Sequence, residues 1–378
     1  MKILYIARNI PVPGVKENNI ILRVAKSIEE FSDLSIDVLF PREILPKMPF
    51  SKNKRIIAIS KLAKVFNSLD KEITSLNYFR LPTLQYSYSL LNSFKWLNVK
   101  DLKELNEYQL IHAHNIMPDG KIGLELKKKY KIPLIVTVRN GDLDKISKLK
   151  HDSILYKSYV QVLQNADRII THNYPTRKFV EGLNLNCLSI PHGIEEKYLL
   201  EEKTVKENII LFVGNMIPRK NLNWVVDSFK KIDNTKWKLI IIGDGGEYTK
   251  LKKSVENFKN IELKGQLPRD EVLKYMKKSK IFAMPSERET FGIVYLEAAA
   301  SKCLVVGQSY TGIYGWLKDK EEGIFVANKN EFTTALKDLL LDQDKINDMA
   351  LNGFSKVQSE LLWQQQIDKY IKLYKGYE

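Results

Sequence analysis

Two glutamates, Glu289 and Glu297, lie in the segment PSERETFGIVYLEAAA at 285–300 with seven residues between them. The run IFAM just before it reads as a buried strand, so the segment falls at the carboxyl end of a parallel strand, where open α/β sheets bind ligands. Ile293–Ala300 reads as a helix with Gly292 at its mouth. The first N–H groups of a helix have no partner within it and carry partial positive charge, which suits a diphosphate. Glu289 stands just ahead of that mouth. Glu297 is in the second turn, and helical side chains tilt back toward the N-terminus. Two carboxylates could thus face one ligand from either side of a phosphate cradle and accept hydrogen bonds from sugar hydroxyls. The plain alternative is two surface glutamates beside a buried Ala-rich helix, and spacing alone leaves both readings open.

A second strand-to-helix turn, VGNMIPRKNL at 213–222, carries Asn215, Arg219 and Lys220. A lysine there is a point charge suited to a diphosphate leaving group; by itself Lys220 could equally be solvated.

The elements that position these residues follow one rhythm. Strands are expected at 2–8, 35–40, 110–114, 133–138, 166–172 and 188–191, with helices over 20–31 and about 121–130. The rhythm restarts at Asn208: strand NIILFVG, helix NLNWVVDSFKKI, strand KLIIIGDG, helix KLKKSVENF, strand NIELKG, helix RDEVLKYMKKS and strand IFAMPS. Apolar strands alternating with helices pair in parallel through crossover connections, and strands this apolar are covered on both faces. Two α/β halves therefore meet near the polar stretch 192–207. The last stretch, 356–378, reads as one helix whose Leu361, Leu362, Ile367, Tyr370, Ile371 and Tyr374 form a stripe that packs in the core.

Composition bounds the classes. A chain of 378 residues with 44% hydrophobic and 28% charged residues is globular and long enough for two domains. No stretch approaches the roughly 18 apolar residues of a spanning helix, and MKILYIARN enters a strand with no signal-peptide pattern, so a cytoplasmic location is expected. Cys187 and Cys303 are the only cysteines, which gives neither a disulfide framework nor a metal cluster. The formal net charge of +15 attracts phosphates of any kind, or simply reflects a solvated Lys-rich surface. Between residues 41 and 66, Arg42, Lys47, Lys52, Lys54, Arg55, Lys61 and Lys64 alternate with apolar residues, and Glu43 is the one acid. Such a stretch either lies on an anionic membrane face or is a surface helix with a core-facing stripe. No nucleic-acid recognition motif accompanies the charge, and no nucleic-acid partner is expected.

The motif Glu289-T-F-G…Glu297, with PS before the first glutamate and EAAA around the second, resembles that of family-4 retaining glycosyltransferases. The resemblance implies a GT-B fold of two Rossmann-like domains: an acceptor domain over 1–195, a donor domain over 196–355, and a C-terminal helix, 356–378, crossing back. It implies that Glu289 contacts the donor sugar, that Glu297 binds the ribose hydroxyls, and that Thr290, Phe291, Gly292 and Ile293 hold the phosphates. Residues 213–222 resemble the family's phosphate clamp, with Lys220 at the lysine position. Asn215 replaces the usual arginine, and Arg219 next door is the substitute cation. Residues 190–199 resemble the family's hinge and 243–251 its glycine turn. At 265–286 the similarity places Gln266 and Leu267 against the nucleotide base. IHAH at 111–114 and ADRIITHN at 166–173 resemble signatures of the first domain; His112 and His114 are strand-end structural residues or, as the alternative, catalytic ones. Gly14 stands where the family has paired glycines near the leaving phosphate. Arg139 or Asn140, in TVRNGD, takes the place of a histidine near the reacting sugar and acceptor. An arginine there either binds an acidic sugar or a phosphate-bearing acceptor, or pairs structurally with Asp142 or Asp144. Lys302 and Leu304 replace the usual glycine and proline after the EAAA helix.

The implied activity is metal-independent transfer, with retention, from a UDP-sugar to a glycan or lipid-linked glycan in cell-surface polysaccharide assembly, at or near the inner membrane face. No cofactor is expected. A 2-epimerase of the same architecture, a synthase with a soluble acceptor, and a nucleic-acid-binding protein are the rivals.

Overall fold

A computed structural model describes residues 1–15, 19–44, 57–59, 61–79, 105–199, 204–232 and 236–378. The chain divides into two compact units. One comprises Met1–His172, Thr176–Ile190 and Ile367–Glu378; the other comprises Asn173–Pro175 and Pro191–Gln366.

The first unit is built on an eight-stranded sheet. Its strands are β1 (Lys2–Ile6), β2 (Ser35–Ile44), β3 (Val65–Ser68), β4 (Lys71–Phe79), β5 (Leu110–Ala113), β6 (Leu134–Val138), β7 (Arg168–Thr171) and β8 (Leu188–Ser189). Their spatial order is β3-β4-β2-β1-β5-β6-β7-β8. Seven of these strands pair in parallel, as the alternating pattern predicts; β3 runs antiparallel to β4. That exception follows from chain length, because the two-residue turn Leu69–Asp70 joins β3 to β4 and a parallel pair needs a crossover of a dozen or more residues. Both residues of that turn have positive φ.

The surface-helix alternative for 41–66 needs correction at both ends. Residues 41–44 continue β2, and Val65–Phe66 open β3. Lys61 and Lys64 are exposed while Leu62 and Phe66 are buried. Lys47, Lys52, Lys54 and Arg55 lie outside the described residues.

The second unit holds six parallel strands: β9 (Glu207–Val213), β10 (Lys238–Ile242), β11 (Ile261–Gly265), β12 (Ser279–Ala283), β13 (Leu304–Gln308) and β14 (Ile324–Val326), in the order β11-β10-β9-β12-β13-β14. Ile210, Leu211, Phe212, Ile281 and Phe282 are fully buried, which fits a sheet covered on both faces. In each unit the strand order reverses once, between β1 and β5 in the first and between β9 and β12 in the second. The carboxyl ends at such a reversal are where ligands bind in open α/β sheets.

The single C-terminal helix expected over 356–378 is two helices, Gln343–Glu360 and Trp363–Lys375. The break has a direct cause. Ile194 N–H donates to Leu361 O at 3.0 Å, and Trp363 N–H donates to Ile194 O at 2.7 Å. Gly193 allows this approach, since a Cβ there would lie 2.6 Å from the Trp363 Cα. Within the first unit the end of the last helix is held by its stripe. Ile367 and Tyr374 are fully buried, and Tyr374 Oη lies 2.7 Å from Tyr5 Oη and 2.6 Å from His112 Nδ1. His112 Nε2 is 2.8 Å from Thr137 Oγ1, so four buried polar groups satisfy one another. Burial pushes the His112 pKa down to about 3 and keeps the ring neutral.

Candidate active site

In the second unit the two motif segments meet where the strand order reverses. The loop after β9 turns through Pro218–Lys220, and the loop after β12 runs from Met284 to Gly292. Three hydrogen bonds pin them together. Glu287 N–H donates to Arg219 O at 2.9 Å, Asn221 Nδ2 to Pro285 O at 2.9 Å, and Arg219 Nη1 to Arg288 O at 2.6 Å. This frame brings the Lys220 ammonium onto the Glu289 carboxylate as an ion pair. The two side chains are only 11% and 14% exposed, so the pair is largely withdrawn from solvent. Lys220 Nζ also lies 3.7 Å from Met284 Sδ.

Gly292 has φ +79°, and the helix Ile293–Ala300 follows it. A Cβ at this position would run into the Tyr295 ring, and the left-handed φ would strain any other residue. Tyr295 in turn donates from its hydroxyl to Met284 O at 2.5 Å, tying the first helical turn to the end of β12. Glu289 is fixed from the loop after β13, where Thr311 Oγ1 accepts from Glu289 N–H at 2.9 Å and Gly312 N–H donates to Glu289 O at 3.2 Å. Thr290 is exposed, Phe291 is buried, and Ile293 is half-buried. Asn173 Nδ2 donates to Thr290 O.

Glu297 lies one helical turn deeper and is ion-paired with Arg269. Burial raises the Glu297 pKa above its ordinary value, and the Arg269 charge opposes the rise. The Arg269 guanidinium also sits 4.8 Å from the centre of the Tyr198 ring. Arg269 begins the helix after β11, directly beyond Gln266, which is exposed, and Leu267, which packs on the core. Asn215 is exposed and makes no side-chain hydrogen bond among the described residues. The glycine turn after β10 supports the Lys220 loop from below: Met216 N–H donates to Asp244 O at 2.8 Å, and Glu247 N–H donates to Met216 O at 3.1 Å.

The sequence reading names Lys220, Glu289, Gly292 and Glu297, which the structure places on these two loops and the helix that follows, and it does not name their partners Arg269, Thr311, Tyr295 and Asn173. Arg269 carries no signal that it pairs across 28 residues of chain with Glu297. Thr311 and Tyr295 act through contacts that only the fold creates.

The residues expected on the acceptor side all fall in the first unit. Gly14 (φ +81°) is exposed in a turn closed by Val15 N–H to Val12 O at 3.0 Å. Arg139 precedes the helix Asn140–Ile146. Its backbone N–H donates to Asp142 Oδ2 at 3.1 Å, but its guanidinium does not pair with that carboxylate. Nε donates instead to His114 O at 2.9 Å, and Nη2 lies 3.5 Å from His114 Nδ1. Asp119, also in this unit, is fully buried, and burial pushes its pKa up to about 7.

A lysine and a backbone-defined helix mouth at the switch point of a parallel sheet are features that suit a phosphate, and the adjacent carboxylates suit polyhydroxylated groups. Fold and placement together are those of the α/β class that binds ligands at the carboxyl ends of its strands. The model of the family described as Glycosyl transferases group 1 matches residues 197–356, and that of Glycosyltransferase Family 4 matches 65–197. An uncharacterized glycosyltransferase of Methanocaldococcus jannaschii is 30% identical over 275 residues, 71% of this chain and 75% of that protein. The alpha-monoglucosyldiacylglycerol synthase of Streptococcus pneumoniae is 22% identical over 321 residues, 76% and 73% of the two chains. Among solved structures, the Anabaena protein HepE in complex with UDP superposes with a TM-score of 0.69 at 13% identity over the full length of both chains. The chain belongs to the family-4 glycosyltransferases and has their GT-B fold of two parallel-sheet α/β domains. It is a glycosyltransferase. No helix among the described residues is long and apolar enough to cross a membrane.

Proposed function

We propose that this enzyme transfers a sugar from a UDP-sugar to a hydroxyl of a lipid-linked glycan, with retention at the anomeric carbon and without a metal. The Lys220–Glu289 pair at the switch point of the second unit is the observation that carries the reading. Lys220 takes the charge of the departing diphosphate, helped by the amides at the mouth of the Ile293–Ala300 helix and by Arg219 in place of a cation at Asn215. Glu289 then turns to the donor sugar, while Thr290, Phe291, Gly292 and Ile293 hold the phosphates. Glu297 receives the ribose hydroxyls, and Gln266 and Leu267 meet the base. The bond from the anomeric carbon to the diphosphate oxygen breaks as the acceptor oxygen bonds to the same face, and the acceptor proton passes to the leaving phosphate oxygen. The acceptor falls to the first unit, where Gly14, Arg139 and Asn140 are the candidate contacts. UDP bound to HepE supports the choice of nucleotide, and the diacylglycerol named for the pneumococcal relative supports a lipid-borne acceptor. Peripheral binding to an anionic membrane through residues 41–66 completes the proposal.

A screen of UDP-, GDP-, ADP- and dTDP-sugars by thermal shift and nucleotide release, repeated with EDTA, tests it. Selective stabilisation by one UDP-sugar, with turnover lost in Lys220→Ala and Glu289→Ala, is the expected result. Conversion of the donor with no acceptor present would make the chain an epimerase instead. Anionic vesicles at low salt test the membrane clause, with Lys52, Lys54 and Arg55 neutralised as the control.

A further inference from the structure

The first unit contains a cavity to which the transfer chemistry assigns nothing. Its volume of about 650 Å³ is in the range of pockets that hold small molecules. One wall is the amino end of the sheet, where Arg168 opens β7 and Leu188 opens the edge strand β8. The other wall is one face of the helix Trp363–Lys375, on which Lys369, Lys372 and Leu373 stand three and four residues apart. Tyr377, just beyond that helix, also lines the space. The strands from β1 through β5 and β6 to β8 are parallel, so this cavity lies at the opposite end of the sheet from the carboxyl ends, where open α/β sheets take their substrates.

The lining is cationic and apolar at once. Arg168, Lys369 and Lys372 are its cations, and Asp167 is its one acid. That acid is already engaged: Asp167 Oδ2 accepts from Lys127 Nζ at 2.6 Å and from Leu134 N–H at 2.7 Å. Arg168 Nη1 donates to Asp167 O at 2.9 Å, which fixes the guanidinium without neutralising it. Neither Arg168 nor Lys372 forms an ion pair among the described residues. Tyr377 supplies no negative charge, because burial raises its pKa while the Arg168 charge opposes the rise. Cations gathered around one concavity focus their field on an anion within it. Between them Leu188 is 41% exposed and Leu373 is half-buried. A bare phosphate would meet the cations and leave the leucines wet, and an apolar ligand would leave the cations unanswered. A molecule with an anionic head and an alkyl chain satisfies both.

We propose that this cavity binds one anionic phospholipid, its phosphate among Arg168, Lys369 and Lys372 and the start of its acyl chain along Leu188 and Leu373. The guanidinium offers paired donors to the phosphate oxygens, and the two ammonium groups add point charges. The net charge of +15 draws the chain toward such lipids from a distance. The cavity belongs wholly to the first unit, and it depends neither on the stretch 41–66 nor on the choice of donor or acceptor.

The test titrates the full chain by calorimetry with dihexanoylphosphatidylglycerol below its micelle concentration. Dihexanoylphosphatidylcholine, which carries no net charge, and glycerol 3-phosphate, a head without chains, are the comparison probes. Saturable binding of the anionic lipid, about 10-fold or more tighter than of either comparison probe, is the expected result. Arg168→Gln combined with Lys372→Gln should weaken it by about 30-fold, at roughly 5-fold for each charge removed. Leu188→Ser should weaken the lipid and leave glycerol 3-phosphate unchanged. All three side chains are exposed, so melting temperatures equal to the parent's show that the variants fold. Neutralising Lys52, Lys54 and Arg55 should leave the titration as in the parent, which separates the cavity from the basic stretch. Glycerol 3-phosphate binding as tightly as the lipid, equal affinity for the two lipids, or binding untouched by the Arg168 and Lys372 changes would each overturn the proposal. None of these readouts requires turnover of a nucleotide sugar.

Discussion

Lys220 and Glu289 come from loops on neighbouring strands whose order reverses between them, and they meet as an ion pair that is nearly withdrawn from water. Neither charge would be stable there alone. In the proposed function the pair is a resting arrangement, displaced by a diphosphate on the lysine side and joined by a sugar hydroxyl on the carboxylate side. Lys220→Ala should lower kcat/KM by about 100- to 1000-fold, the usual cost of removing one stabilising group from a developing anion. In a double-mutant cycle, Lys220→Ala with Glu289→Ala should destabilise the unliganded protein less than the two single changes added together. Calorimetric melts of the four proteins decide this, and strict additivity would mean that the pair contributes no coupling.

Glu297 gives a pH prediction. Its pKa is raised, chiefly by burial, so the folded protein holds its proton more tightly than the unfolded chain does. Stability from this group is complete below the ordinary glutamate pKa and is lost as pH rises through the folded value. Glu297→Gln should therefore raise the melting temperature at pH 7 relative to the parent, with the difference vanishing near pH 4. The same change should weaken UDP binding. Arg269→Ala removes the opposing charge and should move the acid limb of UDP affinity to higher pH, as measured by calorimetry across pH 5–8.

Asp119 is the stronger case because it is fully buried and its pKa is pushed up to about 7, first of all by burial. Between the unfolded pKa near 4 and that value, the folded state binds the extra proton. Stability falls as pH climbs through this window, by up to about 4 kcal/mol. Asp119→Asn keeps the shape of the side chain and removes the titration. Urea unfolding at pH 5 and pH 8 should show a smaller pH-dependent loss in the variant than in the parent, the remainder coming from Asp142, whose pKa burial pushes up to about 6. Equal slopes in the two proteins would refute this account.

Tyr374 holds the end of the chain through its hydroxyl, which meets Tyr5 and His112 inside the first unit. Tyr374→Phe leaves those two buried groups short of a partner and should cost about 1–3 kcal/mol. Amide exchange should rise over residues 367–378 before it rises elsewhere.

Much of the protein is legible in one dimension. The strands β1, β9, β10 and β12 are apolar runs bounded by turn residues, and the helix Ile293–Ala300 with Gly292 ahead of it follows from local pattern alone. Lys220 and Glu289 stand out because each sits at a strand-to-helix turn, and Glu297 because it lies in the second turn of the helix that follows, places defined by nearby sequence. The antiparallel β3–β4 hairpin is not among the expected elements and the break at Leu361–Leu362 is misread, for opposite reasons. The hairpin is a short-range exception inside a parallel rhythm. The break is imposed by Ile194, 167 residues away in sequence from Leu361.

The sequence by itself determined the elements, their parallel habit and which residue types stand at the strand-to-helix turns, because periodicity and turn chemistry are local properties. Tertiary structure alone decided the partners: Arg269 against Glu297, Thr311 holding Glu289, Tyr374 locked to Tyr5, and Arg139 turned from Asp142 to His114. These pairings depend on where the two sheets reverse their strand order and on which loops that reversal brings together. Spacing along the chain does not encode such a meeting, since its free energy comes from burial and charge shared between residues far apart in sequence.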